Sequence, residues 1–173
     1  NNRDGTMITA EYCRVMTDFN AWMSERLYAL CGSIDDADRR SDRGAFFGSI
    51  HRTLNHVMYS DLAFMSRFTG DPAVVPELGV DIHDDYDELW RSRSSLDKRL
   101  CEWSSILAAS WLAEDLTYTS KVDGIIRTVP RWVLVAHMLN HQTHHRGQIT
   151  TILSQMGLDV GTTDIPFMPC FQS

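Results

Sequence analysis

Four stretches of this chain carry apolar residues at three-to-four spacing for about 22 to 27 residues each, which leaves few folds open. The first runs from about Met7 to Cys31, with Tyr12, Phe19, Trp22, Met23 and Leu27 on its stripe, and stops at Gly32-Ser33. The second spans about Ala45 to Phe68, with Phe46, Ile50, Val57, Phe64 and Phe68 as core candidates, and closes at Gly70-Asp71-Pro72. The third, from about Asp84 to Ala109, opens with acidic residues that suit a helix N-terminus. The fourth starts with Pro130 in its first turn and reaches Met156 before Gly157. Ahead of it, Leu116–Ser120 and Ile125–Val129 flank Val122-Asp123-Gly124, the pattern of a small β-hairpin. The expectation is an all-α four-helix bundle, one domain over residues 1–173, with a hairpin-like insert before the last long helix. The connector at residues 32–44 is polar, with at most a short helical turn, and the tail with Gly161, Pro166 and Pro169 reads as irregular. Connectors at 32–44 and 109–130 are long enough to cross an end of the bundle, so up-down-up-down and crossover topologies both stay open.

Charge and cysteine usage narrow the partners. The formal net charge is −7, and the basic clusters Arg39, Arg40, Arg43 and Arg91, Arg93, Lys98, Arg99 are interleaved with Asp and Glu. They read as solvated faces and loops, and a nucleic-acid partner is disfavoured. No apolar run approaches the roughly 20 residues that a bilayer crossing requires, so no membrane association is expected. Cys13, Cys31, Cys101 and Cys170 are scattered, without C-x-x-C spacing, and read as buried free thiols in a reducing, cytoplasmic location.

Chemistry concentrates in Asn140-His141-Gln142-Thr143-His144-His145-Arg146-Gly147-Gln148, on the fourth helix. At about 100° per residue, His141 and His145 lie about 40° apart and within the apolar face of Leu134, Met138, Ile149 and Ile152. Two inward imidazoles one turn apart both require partners, and a shared metal ion supplies them. A further ligand should come from a facing helix, and His51, His56, His83 and His137 are candidates. Small neighbours Ser49, Thr53, Ser60 and Ala63 leave room for an ion and a substrate beside His56. His51 lies about 140° away on the same helix, so both cannot face one site, and His83 falls in a loop.

Leu54-Asn55-His56-Val57 with Asp61, followed by the histidine-rich run, resembles the bacterial damage-inducible DinB-like family. The resemblance extends to Phe19-Asn20-Ala21-Trp22, to Asp42-Arg43-Gly44-Ala45-Phe46-Phe47-Gly48-Ser49-Ile50 and to Thr163-Asp164-Ile165-Pro166, and so covers nearly the whole chain. It implies a four-helix bundle holding a divalent metal through one histidine of the second helix and two, four apart, of the fourth. Carried over, the ligands are His56, His141 and His145. His144 then becomes a polar neighbour or surface residue, and His137 lies in the pocket or supports a ligand; Gly147, beside its place in the motif, has no side chain and would let another helix approach closely. The resemblance also implies a homodimer formed through helix packing, for which exposed apolar residues on the first or third helix could serve.

Three neutral imidazoles leave an ion its full charge and an open position, the layout of a catalytic site. They accept zinc, nickel, copper or iron, with zinc or nickel the expected occupant. In the metalloprotease pattern H-E-x-x-H a glutamate follows the first histidine; here Gln142 stands there and cannot take a proton, which argues against peptide hydrolysis by that scheme. No catalytic residue is assigned. Asp61 is five residues beyond His56, a poor position for ligation, and could orient a ring, pair with Arg146 or merely pack; Asn20 could hydrogen-bond behind a ligand. Two classes of function remain. One is a metal-dependent enzyme acting on a small molecule by activating water or, as relatives in the wider superfamily imply, a low-molecular-weight thiol. The other is a non-catalytic metal-binding stress-response or dimerisation protein.

Overall fold

The computed structural model describes residues 6–72 and 75–172. Four long helices pack together: α1 (Ala10–Gly32), α3 (Ile50–Thr69), α4 (Tyr86–Ser105) and α6 (Arg131–Gln155). Two short ones, α2 (Asp36–Arg40) and α5 (Ala109–Ala113), lie between them, and β1 (Asp115–Thr119) pairs antiparallel with β2 (Ile126–Pro130) ahead of α6. The hairpin therefore falls where the alternating residues placed it. Pro130 ends β2 and precedes the first residue of α6 rather than sitting inside its first turn. The tail carries only single 3₁₀ turns, Ile165–Phe167 and Pro169–Phe171.

Side-chain polar groups fix the helix starts. Thr9 accepts from the Tyr12 N–H at 3.0 Å, Ser49 from Arg52 at 3.2 Å and Asp85 from Glu88 at 2.9 Å, each satisfying a donor that a first turn leaves unpaired. The second helix begins at Ile50, later than the apolar spacing implied, because Gly44 and Gly48 adopt φ of 73° and 78° and fold residues 42–48 into tight turns. Asp42 Oδ1 accepts the Gly44 N–H at 2.9 Å, and Ala45 bridges Gly48. Phe46 is consequently 82% exposed and not a core residue. Its neighbour Phe47 turns inward.

Pairings along the helices settle the topology. Thr17 meets Ser104 and Tyr28 meets Tyr86, so α1 and α4 are antiparallel. His56 meets His145 and Phe64 meets His137, so α3 and α6 are antiparallel. Asp61 meets Arg93 and Phe68 meets Trp103, which makes α3 and α4 parallel. The crossover thus belongs to the segment between Thr69 and Tyr86, not to either connector favoured by length. Asn55 anchors that segment: its Oδ1 accepts the N–H groups of Ile82 and His83 at 2.9 and 3.0 Å, while its Nδ2 donates to the carbonyls of His83 and His51 at 3.0 and 3.2 Å. His51 Nε2 lies 3.1 Å from the same His83 carbonyl, so the second histidine of α3 is spent on the crossover. Because Asn55 is buried and answers two backbone donors at once, Asn55→Ala should cost about 2 to 3 kcal/mol in denaturant unfolding. A loss under about 0.5 kcal/mol would mean that the crossover is held elsewhere.

Polar residues also occupy the core, against the solvated placement that the charge pattern implied for two of them. Arg39 is buried and donates to the Cys31 carbonyl at 3.1 Å, with its guanidinium 4.4 Å from the Tyr86 ring. Arg93 is 3% exposed and donates to Asp61 at 2.6 Å and to Asp97 at 2.9 Å. Of the cysteines, Cys13 and Cys31 are buried, Cys101 is half-buried and Cys170 is exposed, so the buried-thiol expectation fails for the last two. Burial raises the thiols of Cys13 and Cys31 to about 11 and about 12. Among the described residues, no helix is long and apolar enough to cross a membrane.

Candidate metal centre

One face of α3 and one face of α6 bring three imidazoles to a point. His141 and His145 stand one turn apart on α6, as the helical period requires, and His56 faces them from α3. His56 Nε2 and His145 Nε2 each lie 3.0 Å from His141 Nε2, and one ligand atom from each of the three rings lies within 4.8 Å of the others. His51 and His83 are engaged with each other at the crossover, and His137 stands one turn before His141 on α6, its ring 5.8 Å from that of His141. The wheel's separation of His51 from His56 is thus seen in the structure, while His137, which the wheel left beside His141, lies outside the cluster of three.

The donor set fits a divalent transition metal. His141 Nε2 carries either one lone pair or one proton, so it cannot serve both neighbours well by hydrogen bonding. A tetrahedral ion with Zn–N bonds of ~2.05 Å places its nitrogens roughly 3.3 Å apart, close to the spacing seen. Gln148 Oε1 lies 2.8 Å from His145 Nδ1 and accepts a hydrogen bond from its N–H, which leaves Nε2 of that neutral ring as a lone pair facing the centre. The amide of Gln148 then reaches His144 Nε2 at 3.2 Å, so His144 acts as a brace for the brace. Phe47 stacks on His56 with centroids 3.9 Å apart and covers one side.

Burial keeps the rings neutral, as ligands must be. Burial first, then the neighbouring rings, pushes His141 down to about 3 and His56 down to about 4, and burial lowers His145 against the pull of Gln148. In the metal-free protein, these histidines bind protons in the unfolded chain near 6.5 but not in the folded one until about 4 and about 3. The stability they contribute is therefore full above pH 6.5 and lost as pH falls toward 4. Urea midpoints measured between pH 7.5 and 4.5 should decline with acid, and less steeply in His141→Gln; equal slopes would remove these rings as the cause.

Behind the rings runs a buried polar chain. Asp61 accepts from Arg93 Nη1 at 2.6 Å and from Gln142 Nε2 at 2.7 Å, and Asn20 donates to Gln142 Oε1. Arg146 donates to Asn20 Oδ1 and, at 3.0 Å, to Thr143. Asp61 therefore pairs with Arg93, and Arg146 takes Asn20 instead. Among the described residues, neither Asp61 nor Asn20 hydrogen-bonds to a histidine. Gln142, in the place of a protease glutamate, is locked between α1 and α3 and points away from the rings. Sequence reasoning missed Arg93, Phe47 and Gln148; only the last left a signal, its three-residue spacing from His145.

A cavity of about 370 Å³ opens beside His56 and His141, walled by α3, α6 and the hairpin. Of the four small neighbours of His56, Ser60 and Ala63 line it, whereas Ser49 and Thr53 are buried in hydrogen bonds at the start of α3. Gly147 has no close-packing role: a Cβ there meets nothing within 4 Å, and the residue is an exposed, ordinary helical position. Gly147→Ala should raise thermal stability by about 0.5 to 1 kcal/mol through helix propensity. A destabilised variant would show that something approaches that backbone in solution.

The sequence pattern of the DinB family matches residues 7–172 of the chain. A relative described as Protein DinB, from Bacillus subtilis (strain 168), is 24% identical over 160 residues, covering 90% of this chain and 92% of that protein.

Proposed function

Since the chain belongs to the DinB family, we propose that it is a metal-dependent enzyme in which His56, His141 and His145 hold a zinc or nickel ion and a small molecule enters by the adjoining cavity. The observation that carries this reading is the convergence of three imidazoles of which two, His56 and His141, line an open cavity, with His145 buried behind them. An ion bound there supplies a Lewis acid that lowers the pKa of a thiol or a water molecule. Gln148 and Phe47 fix the ring orientations, and the polar chain through Gln142 holds α6 in register with α1 and α3. No Asp or Glu lines the cavity among the described residues, so its walls offer His137 and the phenols of Tyr59 and Tyr118 for proton handling. That inventory favours attack by an activated low-molecular-weight thiol on an electrophile over hydrolysis assisted by a carboxylate.

The test is turnover of an electrophile panel with cysteine and other small thiols, using protein loaded with one equivalent of zinc or nickel, and His56→Ala, His141→Ala and His145→Ala beside it. Metal-dependent turnover lost in all three variants supports the reading. A second reading rests on the ligands spanning α3 and α6: the ion could serve only to tie those helices together. Metal removal that lowers the thermal midpoint, while loaded protein turns over nothing, would favour it. The family resemblance also suggests a homodimer; Met7 before α1, Tyr12 on α1 and Ile106 just after α4 are exposed apolar side chains near those helices, and sedimentation of the metal-loaded protein tests it.

A further inference from the structure

The cavity does not end at the histidines. Along α3, His56, Ser60, Ala63 and Arg67 share one face, and Arg67 lies roughly 16 Å from His56 along the helix axis at 1.5 Å per residue. The floor between them is apolar, built from Phe64, Val129, Val133 and Leu134. Cations and a phenol are spaced along the same wall, Tyr59 starting about one turn from His56 and Arg67 about 12 Å farther along the axis. Arg67 is half-buried, its guanidinium 5.2 Å from the Phe64 ring centre and 5.0 Å from that of Tyr118, with no hydrogen bond or ion pair among the described residues. Burial pushes it below its ordinary pKa, a cost that an anionic partner would relieve. Lys121, from the turn of the hairpin, lines the same cavity with its Nζ 5.7 Å from the Tyr59 ring centre, and it too has no ion pair. Tyr59 is 5% exposed, lines the cavity, and its hydroxyl has no hydrogen-bond partner. Buried donors of this kind are normally satisfied. In a chain of net charge −7, two unpaired cations and an orphaned hydroxyl on a wall without carboxylates make a local anion-binding surface.

We infer that Arg67, Lys121 and Tyr59 form an anion subsite, and that the small molecule handled by this protein is an organic carboxylate with an elongated apolar body. Its acidic end is held at Arg67, whose fork matches a carboxylate, and its other end is directed toward His56 and His141. The inference builds on the substrate role of the cavity proposed above, but its test reads independently of metal.

The probes are 6-phenylhexanoate and its neutral amide, titrated calorimetrically into the protein with and without one equivalent of added zinc. The acid should bind on the order of tenfold more tightly than the amide. That preference should shrink in Arg67→Gln, in Lys121→Gln and in Tyr59→Phe, with affinity for the amide unchanged. Tyr59→Phe removes only an unpaired hydroxyl and Lys121 sits on the hairpin turn, so these two variants keep the test decisive even if Arg67→Gln folds poorly. Equal binding of acid and amide by the unmutated protein overturns the inference, as does a preference that survives all three substitutions. A preference abolished by His141→Ala but kept in Arg67→Gln would place the carboxylate on the ion, and also overturns it. A preference that depends on Arg67 and persists in His141→Ala supports the subsite; if the unmutated protein also binds no metal, the subsite stands and the metalloenzyme reading falls.

Discussion

His141→Ala is expected to lose the bound equivalent of divalent metal, while His144→Ala keeps it. His141 Nε2 is the shared vertex of the cluster, 3.0 Å from each of its neighbours, so its removal leaves only two ligands, from different helices, where an ion needs at least three protein donors. Loss of a supporting partner typically costs ~10–100-fold in metal affinity, which is the effect expected for Gln148→Ala, and loss of a ligand should exceed it. An ion present at about 1,000 times its dissociation constant stabilises the folded state by about 4 kcal/mol, so the thermal midpoint of the unmutated protein should rise with added zinc or nickel and that of His141→Ala should not. The check is elemental analysis of protein purified without a metal-affinity column, together with thermal melts. A full equivalent retained by His141→Ala would sink the site.

Arg93→Met is expected to destabilise the protein by about 3 to 5 kcal/mol, because it leaves Asp61 and Asp97 buried without a counter-charge. Burial works against the Arg93 charge, but the two carboxylates outweigh it and hold the guanidinium above its ordinary pKa. The contrast is Lys98 with Glu102, an exposed pair at 3.9 Å, where substitution of either should change stability by under about 1 kcal/mol. Urea denaturation separates the two cases. Replacing Asp61, Arg93 and Asp97 together by Leu, Met and Leu should recover much of the loss, since most of it is the penalty of unpaired charge rather than the worth of the pairs. If Arg93→Met costs no more than the surface pair, water reaches these carboxylates and the cluster is not a dry core element.

The two effects involve neighbouring parts of one device. Gln142 follows His141 on α6 and accepts from Asn20 while donating to Asp61, so the same helix turn that presents a ring to the centre is tied behind to α1 and α3. Spacing within α6 was readable because a helix fixes the angle between residues four apart, whatever it packs against. Pairing between helices was not. Arg93 sits in an Arg- and Asp-rich stretch that looks like any solvated face, and its burial depends on Asp61 arriving from another helix. Phe46 and Phe47 are alike in composition and adjacent; two positive-φ glycines decide that one faces solvent and the other stacks on His56. Loop length left the topology open because length permits a crossing without requiring one, whereas Asn55 and His51 supply the hydrogen bonds that hold the crossover between α3 and α4.

From the sequence alone came the four apolar helices, the hairpin and the His141–His145 pair, all consequences of local periodicity that neighbouring residues enforce on one another. Tertiary structure alone decided which helices run parallel, which charges are buried, and that unpaired cations line the cavity beside the rings. Those features depend on side chains far apart in the chain meeting at 3 to 6 Å, a distance that no local period encodes.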